Sequence, residues 1–227
     1  WLYPMLSINR RAERRQDIID YLKNNFYVKT IFNNAAHYEA NDQFLEGTGS
    51  MVLDRENKIA YASLSKRTNE LLFHKWCRQM NFKGCSFHAT DLDKPVYHTN
   101  VVMSVCQNMV FICLDAIIDE YEKQELLSLF KETGKEIIDI SKHQMNKFLG
   151  NVLELKTNNN SSILVMSTSA FNVLTSQQKE VINRHCKIAH SSLSTIEYFG
   201  GGSARCMIAE LFLEPNPSHK FKYPIFS

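Results

Sequence analysis

One pattern recurs three times along the chain, and it limits what the chain can fold into. A short apolar strand, a polar turn, a second strand, an amphipathic helix and a closing strand follow one another in that order. The first copy runs through Gly49–Leu53, the turn Asp54–Asn57, Ile59–Ser63, a helix over Glu70–Met80 and a strand over Lys83–Ala89. The second takes Asn100–Val105, Gln107-Asn108, Met109–Leu114, Tyr121–Lys131 and Lys135–Ile140. The third takes Asn151–Lys156, Thr157–Asn160, Ser161–Met166, a helix over Thr175–His185 and Lys187–Ala189. A fourth start is read at Thr195–Tyr198, followed by a glycine turn and Arg205–Leu213. Self-similarity at a period of about 50 residues implies a ring or a solenoid of like units. A ring of ββαβ units covers its own sheet edges. Thr175 with Gln178 three residues on reads as a capping box for the third helix.

Upstream of the repeats the pattern is looser. Trp1–Ser7 is apolar, interrupted by Pro4, and reads as the end of a strand. Asn9–Phe26 carries Ala12, Ile19, Leu22 and Phe26 on one face and predicts an amphipathic helix. Tyr27–Phe32 predicts a strand, and the polar Asn33–Gln43 a loop. The whole of residues 1–227 is read as one domain, with 216–227 as a terminal segment.

Composition excludes several classes. The 227 residues have a formal net charge of +2, and 44% are hydrophobic, enough for a core. The one basic run, Arg10-Arg11 with Arg14-Arg15, is read as a solvated helix face, so nucleic acid is not the expected partner. No apolar run reaches membrane-span length and no signal-peptide pattern is present. The six cysteines show neither a CxxC pair nor Cys/His zinc spacing. Reduced thiols, no metal and a cytoplasmic location are expected.

Three residues fall at junctions between units: Glu46 in Phe44-Leu45-Glu46-Gly47-Thr48-Gly49, His98 in Tyr97-His98-Thr99-Asn100, and Cys206 in Gly200-Gly201-Gly202-Ser203-Ala204-Arg205-Cys206. In a ring, equivalent junctions converge near the axis. A thiol beside Arg205 and turn amides has the surroundings that favour a thiolate. A thiol, an imidazole and a carboxylate suit attack on a planar carbon with proton delivery to a leaving nitrogen. A carboxylate also pairs well with N–H-rich groups, so a guanidino or ureido carbon fits. Each residue alone has a plainer reading: Glu46 as a brace for a turn, His98 as a hydrogen-bonded core histidine, Cys206 as a small hydrophobe, and Arg67 as a packing or surface residue. His88 has no partner at a ligand spacing.

The chain resembles the guanidino-group-modifying superfamily of arginine deiminases, dimethylarginine hydrolases, agmatine deiminases and amidinotransferases. Within it the resemblance is to the citrulline-hydrolase branch. It is carried by Leu2-Tyr3-Pro4-Met5, Asn9-Arg10-Arg11-Ala12-Glu13-Arg14-Arg15, Leu45–Arg55, Ser65-Lys66-Arg67-Thr68-Asn69, His98–Met103, Phe148–Glu154 and Gly202–Met207. The resemblance implies an α/β fold, a five-fold pseudosymmetric propeller of ββαβ units (a pentein). The family's first blade would lie upstream of Tyr3-Pro4-Met5 and is expected to be missing from this chain.

The resemblance also implies roles. Cys206 is the nucleophile, His98 the general acid and then base, and Glu46 the holder of the ureido or guanidino nitrogens. Arg67 and Arg205 are substrate-binding residues, with Arg67 on the α-carboxylate. Arginine deiminases carry Asp where this chain has Asn100. An amide donates as well as accepts, which suits a neutral ureido group. The implied activity is citrulline hydrolysis to ornithine, carbon dioxide and ammonia without a cofactor. A small-molecule substrate is the expected partner, and a homo-oligomer is left open. Arginine or methylarginine deimination, amidino transfer and a non-catalytic binding module stay open as alternatives.

Overall fold

The computed structural model describes residues 1–217; the terminal segment 216–227 therefore falls outside the described residues beyond its first two positions. The fold is α/β. Its frame is three three-stranded sheets of one topology.

The chain enters through Trp1–Ser7, a 3-10 turn (Ile8–Glu13), helix α1 (Gln16–Asn25) and helix α2 (Ala35–Ala40). The first sheet follows with β1 (Val52–Asp54), β2 (Ile59–Ser63), α3 (Glu70–Met80) and β3 (Lys83–Phe87). A small hairpin, β4 (Thr90–Asp91) and β5 (Lys94–Pro95), leads to the one-turn helix α4 (Thr99–Val102). The second sheet holds β6 (Met103–Val105), β7 (Met109–Ile112), α5 (Glu120–Glu132) and β8 (Glu136–Asp139). After α6 (Lys142–Met145) comes the third, with β9 (Leu153–Lys156), β10 (Ser162–Ser167), α7 (Thr168–Asn172), α8 (Ser176–His185) and β11 (Lys187–Ser191). Helix α9 (Ser194–Gly200) and a 3-10 turn (Ala204–Met207) are the last elements among the described residues.

In each sheet the first two strands form an antiparallel hairpin, and the third runs parallel to the middle strand. The registers Val52↔Tyr61 and Ile59↔Lys83 in the first sheet have counterparts in Met103↔Ile112 and Met109↔Glu136, and in Leu153↔Val165 and Ile163↔Lys187. The parallel pairing requires a crossover, supplied by the helix between the second and third strands. The middle strands β2 and β7 are buried throughout. Among the described residues no sheet exceeds three strands.

Local chemistry sets the helix starts. Asn69, Asp119 and Thr175 accept from the amides of Leu72, Glu122 and Gln178, and the expected Thr175–Gln178 box is reciprocal. A shared core joins the units, built from Tyr61, Phe87, Met103, Phe111, Phe130, Leu164 and Ile182. A second cluster under α3 packs Leu45, Met51, Phe73 and Trp76 against Tyr3. Inside the frame lies an ion pair: Lys135 Nζ is 3.1 Å from Asp54 Oδ2, and both side chains are 2% exposed.

The structure departs from the sequence reading mostly outside the repeats. The helix expected over 9–26 is broken at Arg14 and Arg15, because Arg14 turns inward to the Tyr3 carbonyl and Glu39. Tyr27–Phe32 is not a strand; only an isolated bridge, Phe26 to Pro215, forms there. The expected loop contains α2, whose Tyr38 packs into the second cluster. Trp1–Ser7 joins no sheet, and it bends at Leu6 and Ser7. The strand expected from Asn100 begins only at Met103, after a helical turn. The fourth start is helical at Ser194–Gly200, and no strand follows Arg205 within the described residues.

Candidate active site

Glu46 follows the buried Leu45 and precedes Gly47, a residue with φ of 60° that turns the chain. This turn delivers the Glu46 carboxylate inward with its side chain fully buried. Its Oε1 accepts the Leu6 amide at 2.9 Å. Its Oε2 meets His98 Nε2 at 2.8 Å, Arg67 Nη1 at 3.3 Å and Arg10 Nη1 at 3.4 Å. Burial pushes this carboxyl upward, but the bonds from His98 and Leu6 and the charges of His98 and Arg67 outweigh it, holding the pKa at about 2. Glu46 is therefore ionised and accepts only, so the Nε2 of His98 carries the proton.

His98 stands just before α4 and is buried. Its ring lies over Gly49, where a Cβ would come within 2.7 Å of ring atoms Cε1 and Nδ1. Only a residue without a side chain leaves space for the imidazole in this pose. Arg67 sits in the tight turn from Ser65 to Thr68, and its guanidinium lies 5.6 Å from the centre of the Tyr97 ring.

Cys206 lies in the 3-10 turn at Ala204–Met207 and is the one exposed cysteine; the other five are buried and all six are free. Its Sγ is 3.1 Å from Asn151 Nδ2 and 3.5 Å from Asn100 Nδ2. Helix α9 ends on Gly201 with φ of 65°, and the Tyr97 hydroxyl donates to the Gly201 carbonyl at 2.7 Å. The glycine segment is thus pinned to the junction that carries His98.

These groups surround one cavity of about 500 Å³. Glu46, Arg67, His98, Asn100 and Cys206 all line it, so five of the six residues singled out from sequence come together. Arg205 does not: its guanidinium turns back to the Ile208 carbonyl at 3.2 Å. Two further residues belong to the site. Arg10 lines the cavity, while Arg11 and Arg14 bind the carbonyls of Met5 and Tyr3 and the carboxylate of Glu39, so only Arg15, paired with Asp17, fits the solvated face expected of the cluster. Asn151 is 2% exposed and touches the thiol. Its signal was available in the repeat: it stands at the same junction position as Asn100, one period later.

His88 lies elsewhere, paired with Glu122. Among the described residues there is no cluster of three or more His, Cys, Asp or Glu side chains suited to a metal ion, and no helix is long and apolar enough to cross a membrane.

Comparison with known proteins identifies the family of the chain. Over residues 1–213 the chain matches the family described as N,N-dimethylarginine dimethylhydrolase, eukaryotic. It belongs to that family, within the pentein superfamily of guanidino-group-modifying proteins. No match was found among the curated proteins.

Solved structures share the fold at low identity. The apo structure of ArgZ, an arginine dihydrolase from the ornithine–ammonia cycle in cyanobacteria, is 17% identical with a TM-score of 0.61, covering 93% of this chain and 31% of that one. Unliganded AgrE is 16% identical with a TM-score of 0.66, covering 94% of this chain and 30% of that one. A dimethylarginine dimethylaminohydrolase adduct with 4-chloro-2-hydroxymethylpyridine is 13% identical with a TM-score of 0.50, covering 90% and 70%. The chain spans about a third of the length of ArgZ and AgrE. It is thus related to C–N hydrolases that act on guanidino groups.

Proposed function

We propose that the cavity hydrolyses a C–N bond at the ureido carbon of a small amino acid, with citrulline as substrate. The observation that carries this is the charge balance around Glu46. It is the one carboxylate among the cavity-lining residues, and Arg10, Arg67 and His98 already meet its Oε2. The residue facing the thiol beside it is the neutral Asn100. A cationic guanidinium would enter next to two other guanidinium groups, with Glu46 as the single lining carboxylate to balance all three. A neutral ureido group needs no counter-charge, and its oxygen can accept from an amide.

In this reading Arg67 and Arg10 hold the substrate α-carboxylate, and Glu46 keeps accepting from the substrate nitrogens as they enter. The Cys206 thiolate attacks the ureido carbon and forms a C–S bond. The bond from carbon to the terminal nitrogen breaks, and His98 passes to that nitrogen the proton it took from the Cys206 thiol, so that ammonia leaves. Water, deprotonated by His98, attacks the thiocarbamate and expels the thiolate. The resulting carbamate of ornithine loses carbon dioxide. The three like ββαβ units support a ring, a propeller of one domain, as the scaffold that brings the junction residues together.

One observation favours a second reading. Asn100 Oδ1 is buried and has no hydrogen-bond partner, and a guanidinium N–H would satisfy it as well as a ureido one. Together with the family's name, this supports arginine or N,N-dimethylarginine as the rival substrate. The test is release of ammonia, or of dimethylamine, from citrulline, arginine and N,N-dimethylarginine in parallel, with Cys206→Ala as control. Ornithine and ammonia from citrulline, absent in the control, are expected. Faster turnover of either guanidino substrate would overturn the ureido reading.

A further inference from the structure

Asn151 is buried at the start of the third unit, two residues before β9, yet its amide is spent on the edge of the cavity. Its Oδ1 accepts the backbone N–H of Cys206 at 3.3 Å. Its Nδ2 donates to the Asn100 carbonyl at 2.9 Å and lies 3.1 Å from Cys206 Sγ. Its backbone carbonyl accepts the Arg205 N–H at 3.2 Å.

These bonds fix which way the amide points. Reversing it would set an N–H against the Cys206 N–H and an oxygen against the Asn100 carbonyl. The donor edge is therefore held toward the sulfur. A hydrogen bond to sulfur strengthens when the sulfur is charged. The 3-10 turn that carries Cys206 has only four residues, and a helix that short contributes little dipole of its own.

We infer that Asn151 is the positioning residue of the thiol: it clamps the Cys206 backbone through Oδ1 and favours the thiolate over the thiol through Nδ2, with Asn100 as the weaker second donor. The inference rests on the reading of Cys206 as the nucleophile, but its test needs no substrate. Asn151→Asp retains an oxygen for the Cys206 N–H and replaces the donor at sulfur by an acceptor. Asn151→Ala removes both.

The measurement is the rate of Cys206 alkylation by iodoacetamide across pH, on folded protein verified by circular dichroism. Peptide mass analysis separates Cys206 from the five buried thiols. In Asn151→Asp the rate near neutrality is expected to fall about tenfold, as thiolate is lost, with the high-pH plateau unchanged. A residue that merely supports the fold would lower the plateau and leave the midpoint in place. Midpoints equal to wild type in both folded variants would overturn the inference.

Should neither variant fold, a third decides. The wild-type alkylation rate at neutral pH is expected to exceed that of Asn151→Ser, which keeps a small polar group in the same space, and equal rates would overturn the inference. An inactive substrate panel together with a shifted midpoint would count against the ureido reading and leave the role of Asn151 standing.

Discussion

The most exposed consequence of the site's electrostatics is the pH dependence that Glu46 imposes on stability. Its carboxyl is held at about 2 against an ordinary value of 4.5. The folded-state pKa is depressed, so the stabilisation is complete above the unfolded value and is lost as pH falls toward the folded one. The shift corresponds to at most roughly 3 kcal/mol, at 1.36 kcal/mol per unit. Between about pH 7 and about pH 3 the wild type should lose about 2 kcal/mol of this, the remainder disappearing only below the folded value.

The perturbation is Glu46→Gln. It keeps an oxygen for the Leu6 amide and removes the titrating group. Urea unfolding of both proteins across that pH range supplies the assay. Glu46→Gln should be less stable near neutrality, because Arg10, Arg67 and His98 lose their common carboxylate. Its stability should also fall less steeply with acid, so that the two curves converge by about 2 kcal/mol. Parallel curves, displaced but not converging, would refute the reasoning: the carboxyl would then titrate alike in folded and unfolded chains.

Two other substitutions probe the frame that holds the site. Gly49→Ala sets a Cβ within 2.7 Å of the His98 ring, which is buried and bonded to Glu46 and cannot withdraw. Turnover should collapse while the melt shows a loss of about 1–3 kcal/mol, typical of overpacking, as read by steady-state kinetics beside urea unfolding. Lys135→Met leaves Asp54 buried with its two Asn57 hydrogen bonds but without its counter-charge. A loss of about 3–5 kcal/mol is expected by urea denaturation, and the double variant with Asp54→Leu should recover much of it.

What the sequence disclosed and what it hid divide along a physical line. Within the units, apolar periodicity, turn residues and caps are all local, so helices such as Glu70–Met80 and Ser176–His185 were legible to within a residue. Before the first unit the outcome depends on distant partners. Tyr27–Phe32 has the residue types of a strand, but among the described residues its pairing stops at the Phe26–Pro215 bridge and single backbone bonds to Glu214 and Leu2, too few for a ladder. The helix expected through Arg14 is broken because Glu39, far along the chain, offers that guanidinium a pair of oxygens. Arg10 was hidden for the same reason. A row of arginines reads as a solvated face until the carboxylates that fold under it, Glu39 and Glu46, are located.

The site itself is a product of repetition. Gly49, Asn100, Asn151 and Arg205 stand about 50 residues apart, at the same point of successive units. They are joined in series: the Asn100 N–H donates to the Gly49 carbonyl, the Asn151 amide to the Asn100 carbonyl, and the Arg205 N–H to the Asn151 carbonyl. Close approach at these seams leaves no room for side chains. A Cβ on Gly150 would fall 2.1 Å from the Val101 carbonyl oxygen, and one on Gly49 would strike His98. Each seam therefore does two things. It locks a unit to the next, and it brings functional side chains to the shared site: Glu46 beside the first, His98 and Asn100 at the second, Asn151 behind the thiol at the third and Cys206 at the last. No pair of these is close in sequence except His98 and Asn100, so no local motif announces the site. The repeat does, because residues at equivalent seams must meet wherever the units close around a common centre.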